Sequence, residues 1–349
     1  MKTFHCSHCQ ALVFFENDRC LACGRGLAYL PDQRRMAAFD PVGTEVADGY
    51  RCCSNYVLEQ VCNWAVSAAD TNPQCESCRL TRIIPNLAVM GNREIWYQLE
   101  KAKRRLLYTL HGLRLPLLQK VEPNDAGLAF EFLQDHPQGG DASRVLTGHD
   151  NGLITLNAGE ADDVQREKQR VQQHEPYRTL IGHFRHEIGH YYWDRLIAVG
   201  PRLEEFRNLF GDERADYSAA LQKHYQNGPP SDWENAYISG YATSHPWEDW
   251  AETWAHFMHM VDALETAGAA GLTIRPHRPD EPQLNAPINP LKEEYPDFER
   301  MLHAWIPLAY VMNNLSRSLG LADSYPFVLS SAVAGKLRFV HSTVFPPQE

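Results

Sequence analysis

Apolar residues recur at three- and four-residue steps between positions 93 and 113, at Ile95, Leu99, Ala102, Leu106, Leu110 and Leu113. That spacing predicts a helix with one buried stripe. Lys101, Lys103, Arg104 and Arg105 fall largely off the stripe and read as its solvated face. Residues 128 to 134 and 152 to 157 predict short strands, with the turn residues Gly148-His149-Asp150-Asn151-Gly152 between them. The run Gly152 to Asn157 is expected to be an edge strand above the helix at 186–190, open to an extended peptide. Residues 161 to 173 are charged and helix-prone. Helical spacing returns at Ile188, Tyr191, Tyr192, Leu196 and Ile197, and Gly200-Pro201 supplies a stop. It resumes from Pro201 to Tyr225, then after Pro246, with Trp250, Trp254, Phe257 and Met258. Prolines at 276, 279, 282, 287 and 290 make a semi-rigid loop. A helix over 297–319 and a last helix or strand through Phe339 complete the chain. The expected class is α+β, mainly helical, with a small antiparallel sheet.

Composition narrows this picture little. In 349 residues, 44% hydrophobic and 22% charged, the chain is ordinary for a globular protein. The net charge of −11 argues against broad nucleic-acid or anionic-membrane binding. No apolar run is long enough to span a bilayer. The first residues reach a cysteine motif without an apolar signal region, so the expected location is cytoplasmic and no membrane partner is expected.

The nine cysteines change the picture, because all of them lie between Cys6 and Cys78. Cys6-Ser7-His8-Cys9 and Cys20-Leu21-Ala22-Cys23 are two C-x-x-C pairs, the four thiolates that a closed tetrahedral zinc site requires. Gly24 fits the tight turn in which backbone amides approach the sulfurs. His5 and His8 read as exposed neighbours. Cys75-Glu76-Ser77-Cys78 is a third pair, and a second site takes Cys62 with one of the adjacent Cys52 and Cys53. Cys53 is the favoured ligand. Pro85-Asn86 closes this module, which gives a zinc-ribbon region over 1–85 and a second domain over 86–349. Closed sites have no open coordination position, so their role is folding and docking.

The chemistry is expected at His186-Glu187-Ile188-Gly189-His190, an H-E-x-x-H sequence. Four-residue spacing on a helix points both imidazoles at one ion, and Glu187 reaches a zinc-activated water as general base. Gly189 is costly inside a helix, by about 1 kcal/mol relative to Ala, and is intelligible if another segment passes close by. Downstream, Glu248 and Glu252 share one helical face among tryptophans, and buried acids need partners. Ser244 or His245 caps that helix, and Pro246 suits its first turn.

The pattern Tyr241…Glu248-x-x-Ala251-Glu252 after H-E-x-x-H resembles the glutamate-zincin clan, in particular the catalytic domain of anthrax lethal factor. The resemblance implies a zincin-like metallopeptidase domain with Glu248 as third zinc ligand. It also implies that Glu252 is an acid orienting a ligand histidine, and that Tyr241 is a donor to the developing oxyanion. A metzincin needs glycine at 193 and histidine at 196, where this chain has Trp193 and Leu196. The whole chain also resembles a bacterial family of zinc-binding metallopeptidases with an N-terminal zinc-ribbon region. The matching stretches are Cys62-Asn63-Trp64, Cys75 to Arg82, Gly182 to Tyr191, and Tyr325-Pro326-Phe327-Val328-Leu329.

The expected function is therefore a zinc metallopeptidase with one catalytic and one or two structural Zn²⁺, acting on a peptide or protein. Three other readings compete with it. They are a non-catalytic interaction protein on a relic peptidase fold, a hydrolase of a non-peptide amide, and a zinc-ribbon nucleic-acid binder. The acidic charge disfavours the last.

Overall fold

The computed structural model describes residues 1–135, 145–172, 178–286 and 288–346. These form two compact units, one taking the described residues up to 172 with Arg178–Phe184, the other running from Arg185 onward. The class is α+β.

The first unit opens with short hairpins. Strands β1 (Phe4–His5) and β2 (Leu12–Val13) pair, as do β3 (Gly26–Leu30) and β4 (Arg35–Phe39). Strands β5 (Glu45–Val46), β6 (Tyr50–Cys52) and β7 (Ala65–Ser67) make an antiparallel sheet. Short helices α1 (Ser54–Glu59) and α2 (Glu76–Arg79) carry the chain onward to β8 (Thr81–Ile83) and the long α3 (Asn92–Gly112). Small strands have little core of their own. Here Phe4, Phe15, Tyr29 and Trp64 supply one, with ring centroids 4.9–6.5 Å apart, and Tyr108 of α3 joins them.

The main sheet runs β10–β11–β9–β8, with β9 at Ala129–Leu133, β10 at Gly148–Asp150 and β11 at Leu153–Asn157. Two expectations fail here. The sheet is mixed, because β9 is parallel to both β8 and β11. The chain leaves β8, climbs α3 and returns into β9, and a helical crossover of this kind makes the two strands parallel. Nor is 153–157 an edge, since β11 is paired on both sides and the edges are β8 and β10. The turn expected at 148–152 shrinks to Asn151-Gly152, both with positive φ, and 148–150 is strand.

A third correction concerns α3. Lys103 and Arg104 are buried, not solvated. The Lys103 ammonium bonds Glu100 at 3.0 Å and the Thr81 hydroxyl, over the faces of Phe130 and Phe132. Arg104 donates to the Val61 carbonyl at 2.8 Å. A buried charge survives when its partners surround it, and apart from Glu100 on the same helix these partners come from distant sequence positions. The charged helix α4 (Asp163–Gln172) follows β11.

Helix α5 (Leu180–Leu196) carries the H-E-x-x-H residues into the second unit. There α6 (Leu203–Phe210), α7 (Tyr217–Asn227), α8 (Pro246–Ala270), α9 (Phe298–Ser318) and α10 (Ser331–Val344) follow. The expected helix from 201 to 225 is thus two, broken at Gly211. Helix α8 is buried along most of its length, as an element apolar on nearly every side must be. Trp250 meets Phe206 and Phe210 of α6 and Phe339 of α10, with centroids 5.9–6.2 Å apart. Asp249 and Lys336 form a buried ion pair in the same layer. Among the described residues, no helix is long and apolar enough to cross a membrane.

Candidate metal centres

The first cysteine cluster joins Cys6, Cys9, Cys20 and Cys23. Each C-x-x-C is a knuckle whose next residue turns left-handed: Gln10 with φ 61° and Gly24 with φ 74°. The turns close through Gln10 N–H to Cys6 O and Gly24 N–H to Cys20 O. Sulfurs lie 3.8 Å apart for Cys6 and Cys23, and 3.6 Å for Cys9 and Cys20. A zinc–sulfur length of about 2.3 Å sets tetrahedral sulfur separations near 3.8 Å, so this donor set fits zinc. His5 and His8 are exposed and outside the cluster.

The second cluster is Cys53, Cys62, Cys75 and Cys78, all buried. Cys62 and Cys75 sulfurs are 3.6 Å apart, and the Cys75 and Trp64 amides donate to Cys53 and Cys62 sulfurs at 3.3 Å. Hydrogen bonds from Cys62, Cys75 and Cys78 hold the Cys53 thiol far below its usual range. Cys52 points away into the apolar cluster of Ala28, Leu30, Ala37, Phe39, Val46 and Ala65. Burial there pushes its thiol up to about 12. The adjacent pair thus divides into one donor and one core residue. Burial opposes the charge on Arg104, but Cys62, then Glu100, Cys78 and Cys75 outweigh it. A guanidinium near Cys62, Cys75 and Cys78 would offset the net negative charge of a zinc–Cys₄ centre. None of the nine cysteines forms a disulfide.

The third cluster brings together His186 and His190 of α5 with Glu248 of α8. What permits this is Gly189. A Cβ built there would stand 3.1 Å from the Ala251 Cα and 3.2 Å from the Trp254 Cβ, so the two helices touch at the backbone. The Trp250 indole donates to the Gly189 carbonyl at 2.8 Å and pins the crossing. Helix α8 starts as expected. Pro246 is in its first turn, and the His245 ring caps it by accepting from the Trp247 amide at 3.1 Å.

Around this cluster the hydrogen bonds have one direction. Glu252 accepts from Nδ1 of His186 at 2.7 Å and from the Ser239 hydroxyl at 2.6 Å. With its proton on Nδ1, His186 aims the Nε2 lone pair inward, 3.2 Å from Nε2 of His190 and 3.0 Å from Oε2 of Glu248. Oε2 is buried and accepts no hydrogen bond. Donor atoms this close are held together only by a proton or a metal cation among them. Zinc bound at about 2.0–2.1 Å to nitrogen and oxygen sets tetrahedral separations near 3.4 Å, so the donors fit. Burial opposes a positive His186, but Glu248 and Glu252 outweigh it and raise its pKa, so the position facing Glu248 favours a cation, whether a proton on Nε2 or a metal ion that replaces it.

Glu187 is buried on the same helix and is not one of the three converging donors. Tyr241 opens a 3₁₀ turn, Tyr241–Thr243, and its ring centroid lies 5.9 Å from that of His186. Asp212, Glu213 and Asp216 stay outside the cluster. The first two pair with Arg214 and Arg207, and the third caps α7. Three contributors carried no sequence signal. They are Ser239 behind Glu252, Arg104 behind the thiolates, and Tyr217, whose hydroxyl donates to Oε1 of Glu248 at 2.7 Å.

Comparison with known proteins now bears on these centres. Residues 92–343 match the family described as "Putative zinc-binding metallo-peptidase", and residues 3–89 match a zinc-ribbon domain. The chain belongs to this metallopeptidase family. Proteins described as uncharacterized from Mycobacterium tuberculosis and Mycobacterium bovis are similar, each 44% identical over 345 residues. The match covers 99% of this chain and 95% of theirs. No solved structure matches the chain. The family description and the two cysteine clusters together support zinc binding by the chain.

Proposed function

We propose that the chain is a zinc-dependent peptidase of glutamate-zincin type that hydrolyses peptide or protein substrates. The observation that carries this reading is the convergence of His186, His190 and Glu248 donor atoms within 4.8 Å, with Glu252 behind His186. Three protein ligands leave one position open, as a catalytic zinc requires and a closed Cys₄ site does not allow. A zinc ion there supplies Lewis acidity and lowers the pKa of water toward about 7.

The chain's own residues supply the rest. Glu187 takes the proton from the attacking water and returns it to the leaving amine. Tyr241 donates its phenol hydrogen to the oxygen on which negative charge develops, as the resemblance to the lethal-factor catalytic domain suggests. Glu252, steadied by Ser239, fixes the His186 tautomer. The Cys₄ sites are read as structural. The ribbon region is read as 1–85 and the peptidase domain, with a zincin-like fold, as 86–349. A reducing compartment, the cytoplasm, suits nine free cysteines.

Replacing Glu187 with Gln keeps the size of the side chain and removes its basicity. Cleavage is expected to fall by about 10²–10⁴-fold, the usual contribution of a general base. Comparing protein termini in cells carrying the wild-type and the Glu187→Gln chain identifies substrates without bias. Equal sets of new termini from both chains would end this reading.

A further inference from the structure

We propose that Tyr217 is a positioning residue that fixes Glu248 so that it offers the metal a single oxygen, Oε2; this rests on the catalytic-zinc reading above. Helix α7, which begins with Tyr217, has no buried residue. It runs between Gly211 and Gly228, both with positive φ. An exposed helix of this kind holds its place through particular contacts, and two of them converge on the start of α8. The His245 ring accepts from the Trp247 amide through Nδ1, so its Nε2 carries the proton and donates to the Ala215 carbonyl at 3.1 Å. One neutral tautomer therefore caps α8 and also ties down the turn before α7. The Tyr217 ring then stands edge-on to His245, with centroids 5.1 Å apart and planes at 79°. This sets its hydroxyl 2.7 Å from Oε1 of Glu248.

Glu248 is thus asymmetric. Oε1 is held by a phenol and lies 3.6 Å from Nε2 of His190, whereas Oε2 accepts no hydrogen bond and lies closer to a ligand nitrogen, 3.0 Å from Nε2 of His186. A carboxylate so held binds through one oxygen and keeps the centre four-coordinate with an open position. Without the hydroxyl, a carboxylate only 1% exposed is left with an unsatisfied oxygen, which is free to turn toward the metal. Partners of metal ligands typically contribute 10–100-fold to metal affinity. Tyr217 acts on the metal through Glu248, distinct from the role of Tyr241 toward substrate.

The test uses the full chain with its cysteine sites loaded and the third equivalent supplied as zinc or cobalt(II) alone. Tyr217→Phe is expected to raise the zinc dissociation constant by about 10–100-fold. It is also expected to weaken the visible cobalt bands as Glu248 becomes bidentate and coordination rises. Tyr217→Leu suits a helix and lacks the same hydroxyl, so it should show the same loss of affinity. Tyr225→Phe, on the same helix and 69% exposed, should match wild type. Should both Tyr217 variants match Tyr225→Phe in affinity and spectrum, the positioning role is overturned while the catalytic centre stands. A wild-type chain that takes up no third metal overturns both.

Discussion

The cysteine clusters and the histidine–glutamate cluster solve one problem, holding a cation, by opposite means. In the cysteine sites four soft donors converge, and in the second of them backbone amides of Trp64 and Cys75 bond the sulfurs of Cys62 and Cys53. In the other site three donors converge from two crossing helices, and carboxylate and hydroxyl partners orient His186 and Glu248 from behind. The first arrangement spends every coordination position on the protein. On the reading proposed above the second leaves one free, and a centre with a free position can do chemistry. Burial repeats the contrast within the ribbon region. The second cysteine cluster is fully buried and faces Arg104, whereas Cys9 of the first is exposed.

The largest expected effect sharpens the division between Cys53 and Cys52. Zinc held by four thiolates contributes on the order of 10 kcal/mol to folding, so Cys53→Ser should leave its unit unfolded or short of one zinc. Cys52→Ser should keep every zinc and cost about 1–3 kcal/mol, since a hydroxyl in that apolar cluster lacks a partner. Thermal melts with metal analysis read both outcomes. Equal zinc loss in the two variants would mean that the adjacent cysteines share the site.

The sequence carried the cysteine clusters because their logic is local. Spacing fixes a knuckle, and a knuckle fixes where sulfurs point. Acids four apart among tryptophans marked Glu248 and Glu252 as in need of buried partners, and the resemblance to the glutamate-zincins singled out Glu248, which the fold brings beside His186 and His190. Gly189 was legible too, as a helix glycine that only close approach explains. The rest depends on partners that no local pattern encodes. Lys103 and Arg104 looked solvated because Thr81, Val61 and the second cluster's thiolates lie far away in sequence. β11 looked like an edge because apolar residues report a buried face and not how many strands pair beside it. Tyr217 begins an exposed helix, and nothing in its neighbours marks it as a partner of Glu248.

A medium effect is a pH dependence of stability centred on His256. His256 of α8 is buried against Tyr325 and Phe327, and its Nδ1 shares a 2.7 Å hydrogen bond with the Tyr325 hydroxyl. Burial lowers its pKa to about 4, with Glu252 opposing. Unfolded, the ring titrates near 6.5. Between these values the unfolded chain binds a proton that the folded chain refuses, so stability falls as pH drops from 6.5 to 4. The loss attributable to this group approaches about 3 kcal/mol. Melts of wild type and His256→Gln at pH 7 and pH 4.5 should show the smaller pH dependence in the variant. Parallel curves would remove His256 from the account.

The smallest expected effect tests the helix crossing. Gly189→Ala gains about 1 kcal/mol of helix propensity. It also drives a methyl against the Ala251 backbone, and overpacking of this kind costs about 1–3 kcal/mol. The variant should be less stable than wild type and should bind the third zinc more weakly, with both cysteine sites unchanged. A more stable variant with full zinc affinity would mean that α8 can give way at the crossing.

The central claim is that one centre is open and served by a base that is not a ligand, while two are closed. Counting zinc per purified chain tests it most directly. The account predicts three equivalents in wild type, two in His190→Ala, and three in a Glu187→Gln chain that no longer cleaves. Two equivalents in wild type, or loss of the third zinc on Glu187→Gln, would contradict it.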